Sequence, residues 1–134
     1  MKKRLFDKIG YINLYSKKYP QLINFYKNLV GVPAMKGQKT SGSWYGFDTT
    51  GVKFALEPIT NRKNYTFKYN DNNPILMQFI AKDEKELEAM NKRLEKKGIN
   101  LLARSKETRY GKITNFLDPD KNVVEILLQN TKIN

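Results

Sequence analysis

Phe116–Leu128, FLDPDKNVVEILL, reads as two strands folded back over a tight turn, with one acid inside the second strand. Val123, Val124, Ile126, Leu127 and Leu128 are strand formers. Asp118, Pro119, Asp120 and Asn122 supply the reversal, because proline presets the backbone while Asp and Asn side chains bond back to nearby amides. Glu125 stands among apolar neighbours, where a carboxylate needs a partner or a ligand. Two readings of it compete: a salt-bridged edge-strand acid, and an acid facing a binding site. Alternation turns Val123, Glu125 and Leu127 to one face and leaves Val124, Ile126 and Leu128 to pack toward a helix.

Upstream of that hairpin, a strand, a helix and a further set of strands occur twice. In the first half, residues 10–15 (GYINLY) alternate, with Tyr11, Asn13 and Tyr15 on one face and Ile12 and Leu14 on the other. A helix is predicted over 18–30, where Leu22, Phe25, Tyr26 and Leu29 form one apolar stripe that Gly31 and Pro33 end. Strands are then expected at about 34–39, 42–48 and 52–57, separated by Ser41-Gly42 and Thr50-Gly51. In the last of these Phe54 and Leu56 face one way, and Lys53, Ala55 and Glu57 the other. Residues 59–73 are polar and rich in Asn, and read as a connecting loop.

The second half restarts with a strand at 74–81 (PILMQFIA). Its helix is predicted over 83–97, with the stripe Leu87, Met90, Asn91 and Leu94, a cap at Asp83 and a stop at Gly98. Strands at about 101–104, 112–117 and 123–128 complete it. The order β-α-β-β-β is therefore expected twice, over about 10–58 and 74–129, in a single α+β domain spanning 1–134.

Composition narrows the chemistry. The chain has 134 residues, a size suited to one compact domain. It contains neither cysteine nor histidine, which excludes disulfides and thiol catalysis and removes the commonest general base and transition-metal ligand. No apolar run approaches a membrane span and the basic N-terminal MKKRLFDKIGYIN lacks a signal-peptide pattern, so a cytoplasmic protein is expected. The formal net charge is +12, from 25 Lys+Arg against 13 Asp+Glu, which favours anionic partners at long range. The lysines are scattered, as on a soluble surface, rather than gathered into a nucleic-acid footprint. Basic and aromatic residues do interleave at 61–69 (NRKNYTFKY), and nucleic-acid binding is the remotest of the functions considered.

The run YINLYSKKYPQLINFYKNLVG, with Phe25-Tyr26 and Val30-Gly31 at its helix end, resembles the opening module of the vicinal oxygen chelate superfamily. That superfamily includes glyoxalase I, bleomycin-resistance proteins and extradiol dioxygenases. The closing YGKITNFLDPDKNVVEILLQ is similar to its Asp-Pro-Asp-Gly-Asn turn and Glu-bearing strand, with Lys121 in the glycine's place. The resemblance covers about residues 10–129. It implies two βαβββ modules that form a cupped mixed sheet with helices outside, commonly in a homodimer.

The resemblance also implies where site residues fall. Metal-dependent members carry a His or Gln on the first strand of each module and a Glu or similar group near the last. Those positions fall here on Tyr11, Glu57 and Glu125, with Ile75, Leu76 or, less favoured, Gln78 as the fourth. A phenol cannot replace a basic ring nitrogen, and two carboxylates make a poor transition-metal site. No metal and no other cofactor is therefore expected.

The function implied is that of a glyoxalase/bleomycin-resistance-like protein binding a small organic ligand, with Tyr11, Asn13, Trp44, Glu57, Gln78, Tyr110 and Glu125 as ligand-binding candidates. The alternative is a lyase, isomerase or dioxygenase-type enzyme of the superfamily, with Glu57 or Glu125 as base and Tyr11 or Tyr110 as proton donor.

Overall fold

A computed structural model describes residues 10–39, 42–61 and 75–130, and the chain divides into two compact units, residues 1–67 and 68–134. The architecture is α+β, and each unit holds one mixed sheet. In the first unit β1 (Tyr11–Ser16) leads to α1 (Tyr19–Asn24), and the short β2 (Tyr45–Gly46) and β3 (Lys53–Pro58) follow in the order β1-β3-β2. In the second unit β4 (Leu76–Ile80) leads to α2 (Glu84–Lys96), then β5 (Ala103–Thr108), β6 (Gly111–Leu117) and β7 (Val123–Gln129) in the order β4-β7-β6-β5. The two layouts match. In each, the first strand runs parallel to the last, which pairs antiparallel with the one before it. The strand expected at 34–39 is reduced to one bridge, Ala34 to Phe47. A turn at Lys36-Gly37, with Gly37 at φ 78°, breaks it before a ladder can form.

The first helix differs from expectation in its winding. Pro20 sits in the first turn of α1, where its missing N–H costs nothing. From Phe25 to Val30 the chain continues as a π-helix and ends at Gly31, φ 86°. The wider turn changes which residues are covered. Leu22, Phe25, Tyr26 and Val30 are buried, while Leu29 of the expected stripe is only half-buried. Tyr26, Phe47 and Phe54 then build an aromatic core, Phe47 stacked on Phe54 at a centroid distance of 4.6 Å.

Helix α2 follows its sequence closely. The Asp83 side chain accepts from the Glu86 amide at 2.8 Å, and the Glu86 carboxylate accepts from the Lys82 amide at 2.6 Å, a capping box displaced by one residue. Gly98, at φ 74°, ends it, and Ile99 N–H reaches back to the Leu94 carbonyl. The stripe is Leu87, Asn91 and Leu94, with Met90 half-buried. Asn91 is fully buried and paired: its Oδ1 accepts from Thr114 Oγ1 at 2.6 Å and its Nδ2 donates to Ser105 Oγ at 2.8 Å. Ser105 has φ 46° and lies in the irregularity between Ala103 and Lys106, so this network ties the helix to a bulge of β5. That bulge accompanies a strand beginning at 103 and running to 108, against the expected 101–104.

In β7, Val124 and Ile126 are buried, and Val123 and Glu125 are half-buried, as alternation requires. The pattern relaxes at its end, where Leu127 is also buried and Leu128 only partly. No helix among the described residues is long and apolar enough to cross a membrane. Most of the connecting loop expected at 59–73 lies outside the described residues, as do Pro74 and all of the basic-aromatic stretch 61–69 except Asn61. Ile59–Asn61 form a short 3₁₀ turn.

Candidate functional site

Parallel pairing sets one face of the first sheet. Tyr11 is opposite Lys53, Asn13 opposite Ala55 and Tyr15 opposite Glu57, and Gly46 of β2 falls next to Ala55. A side chain added to Gly46 would collide with the Trp44 ring and the Met35 sulfur, so both groups lie across that glycine. Tyr11 closes on them. Its ring meets Trp44 edge to face at 5.3 Å and its hydroxyl reaches Met35 Sδ at 2.9 Å. Gln38 fixes the approach of this segment by accepting from Gly46 N–H and donating to the carbonyls of Lys39 and Trp44, all at 3.0 Å. Tyr11, Trp44 and Met35 thus pack together as a wall over the strand.

Glu57 sits farther along that face, half-buried. Its Oε1 accepts from Asn61 Nδ2 at 3.2 Å, and the same amide donates to the Ser43 carbonyl at 2.7 Å, linking the carboxylate to the residue before Trp44. The Tyr19 phenol is pushed above its ordinary range, by burial first and then by the negative charge of Glu57.

The second sheet carries a polar row. Gln78 of β4, Glu125 of β7 and Asn115 of β6 are registered side by side, and Gln78 Nε2 donates to Glu125 Oε2 at 2.7 Å. Asn115 Oδ1 is buried with no hydrogen-bond partner among the described residues. Glu125 therefore has an amide partner and no salt bridge among the described residues. Of the residues weighed for the first-strand position of this unit, the least favoured, Gln78, is the one opposite the acid. Tyr110 is elsewhere, in the turn between β5 and β6, 61% exposed, with its ring under the Arg109 guanidinium.

The turn that presents β7 is closed by Asp118. Its Oδ1 accepts from the amides of Asp120 and Asn122 at 2.8 and 2.9 Å, and its Oδ2 from Asn122 Nδ2 at 2.8 Å. Lys121 takes φ 66°, the left-handed conformation that a glycine would adopt without strain.

The donor set does not fit a transition metal. The chain has no His or Cys, and no group of three His, Cys, Asp or Glu gathers among the described residues. Sequence reasoning singled out Tyr11, Asn13, Trp44 and Glu57, which share one face or lie against it, and Gln78 and Glu125, which touch. It missed Met35, Gln38, Asn61 and Asn115. A glycine flanked by aromatics, WYGF at 44–47, was the available signal for Met35, since such a position invites a ring to lie on the backbone.

Known structures of the same fold span nearly the whole chain. A lactoylglutathione lyase from Agrobacterium tumefaciens is 19% identical with a TM-score of 0.68, the alignment covering 93% of this chain and 96% of that one. A glyoxalase/bleomycin resistance protein/dioxygenase family enzyme from Burkholderia phytofirmans is 18% identical with a TM-score of 0.71, covering 90% and 97%. A glyoxalase/dioxygenase from Nostoc punctiforme is 18% identical with a TM-score of 0.72, covering 92% of both chains. No curated protein sequence matches significantly. At such identities the structures establish the fold, and the sequence itself supplies the family, for the model of that superfamily matches residues 8–126. The chain belongs to the glyoxalase/bleomycin resistance protein/dioxygenase superfamily.

Proposed function

We propose that this member of the superfamily binds a small, planar organic molecule on the face of its first sheet that carries Tyr11, Asn13, Trp44 and Glu57, as a binding protein rather than a metal-dependent enzyme. One observation carries the reading: Gly46 gives up its side-chain space so that Trp44 and Met35 can lie on the strand, with Tyr11 braced against both. A packed aromatic wall loses little conformational freedom on binding, and its flat surface suits a ring. Asn13 supplies a polar anchor on the same face. Within the second unit, Gln78 and Glu125 are a separate ligand-binding candidate, an amide paired with a carboxylate at 2.7 Å. We further propose that the protein is a homodimer.

The reading is tested by thermal shift against planar aromatic compounds of positive, zero and negative charge, using the wild type and Trp44→Ala. The wild type is expected to be stabilised by at least one charge class, by about 2–4 °C per kcal/mol of binding, and the variant by none. Equal stabilisation of both proteins by every active compound would refute it.

A further inference from the structure

An open surface depression of about 350 Å³ lies within the first unit beside the aromatic wall, lined by Met35, Lys36, Gly37, Lys39, Ser43 and Trp44 together with Gln38. The Trp44 ring and the Met35 thioether, which lie over Gly46, give it an apolar part. Its lining is also cationic. Lys36 and Lys39 both contribute to the lining, and neither has a carboxylate partner among the described residues. The carboxylates nearest in the chain are engaged elsewhere, Asp48 with Lys53 and Glu57 with Asn61. Gln38 cross-links the segment through two hydrogen bonds, to the Trp44 carbonyl and from the Gly46 amide, so the two lysines are carried on a backbone already tied to β2. A volume of this size suits one or two fused rings.

Resting on the reading that the Trp44 face binds a planar molecule, we propose that the ligand is an aromatic anion. Its ring would lie on Trp44 and Met35, and its carboxylate or other anionic group would face Lys36 and Lys39. Two ammonium groups beside an aromatic surface reward a negative substituent and repel a positive one, and the net charge of +12 adds to that preference at long range. Ser43 offers a hydroxyl in the same lining.

Calorimetric titration with 2-naphthoate, 2-naphthalenemethanol and 2-(aminomethyl)naphthalene separates the possibilities, because the three share a ring and differ in charge. In dilute buffer the acid should bind about tenfold tighter than the alcohol, the amine should bind weakest, and added salt should shrink the difference. Lys36→Gln/Lys39→Gln, two exposed positions whose exchange leaves the core untouched, should reduce the acid to the affinity of the alcohol. Binding of the alcohol or the amine as tightly as the acid, or an undiminished preference in the double variant, would overturn the anion assignment while leaving the aromatic face intact. Failure of all three to bind, or heats unchanged by Trp44→Ala, would overturn the underlying reading as well.

Discussion

Gly46 and Glu125 carry the most consequence per residue. Gly46→Ala puts a methyl group where the Trp44 ring and Met35 sulfur lie. Overpacking of this kind costs about 1–3 kcal/mol, and the indole must lift from the strand. The expected outcome, read by urea denaturation and by emission from the chain's single tryptophan, is a lower midpoint with red-shifted fluorescence. Glu125 behaves differently because its partner, Gln78, is an exposed amide rather than a buried cation. Glu125→Gln should change stability by no more than about 1 kcal/mol in urea denaturation. A larger loss would show that this acid is needed to hold β4 to β7.

Individual elements differ in how far the sequence revealed them. The 118–122 turn and α2 were legible because their signals are local: a proline, an Asp side chain accepting from amides two and four residues away, a capping Asp, a terminal Gly. The π-helical turn at Phe25–Val30 was hidden, since the apolar spacing there is compatible with an ordinary helix, and burial of Val30 in preference to Leu29 is decided by tertiary packing. The strand expected at 34–39 failed for a related reason: strand propensity there yields to the turn at Gly37. Pairing of Gln78 with Glu125 needed the register of two strands 47 residues apart, which no local pattern encodes. At this scale the Asn91 network is the testable link between α2, β5 and β6. Asn91→Ala would leave Thr114 and Ser105 without their shared partner and should cost about 1–3 kcal/mol in chemical denaturation.

For the whole molecule, the expectation of a homodimer rests on β4, one of the two edge strands of its sheet, which shows Leu76 and Ile80 at 52% and 53% exposure. Sedimentation at micromolar concentration should give twice the mass of the chain, and Leu76→Lys/Ile80→Lys should give the monomer. A wild type that sediments as a monomer contradicts this.

The central claim, that the Trp44 face of the first sheet is the binding surface, is tested most directly by ¹⁵N-resolved NMR. The chain's single tryptophan gives one indole N–H signal. Titration with the aromatic compound that most stabilises the wild type should move that signal together with the Gly46 amide, saturably and at one common affinity, while amides of the Asp83 cap stay still. Saturable shifts elsewhere in the chain with the indole and Gly46 signals unmoved would contradict the account.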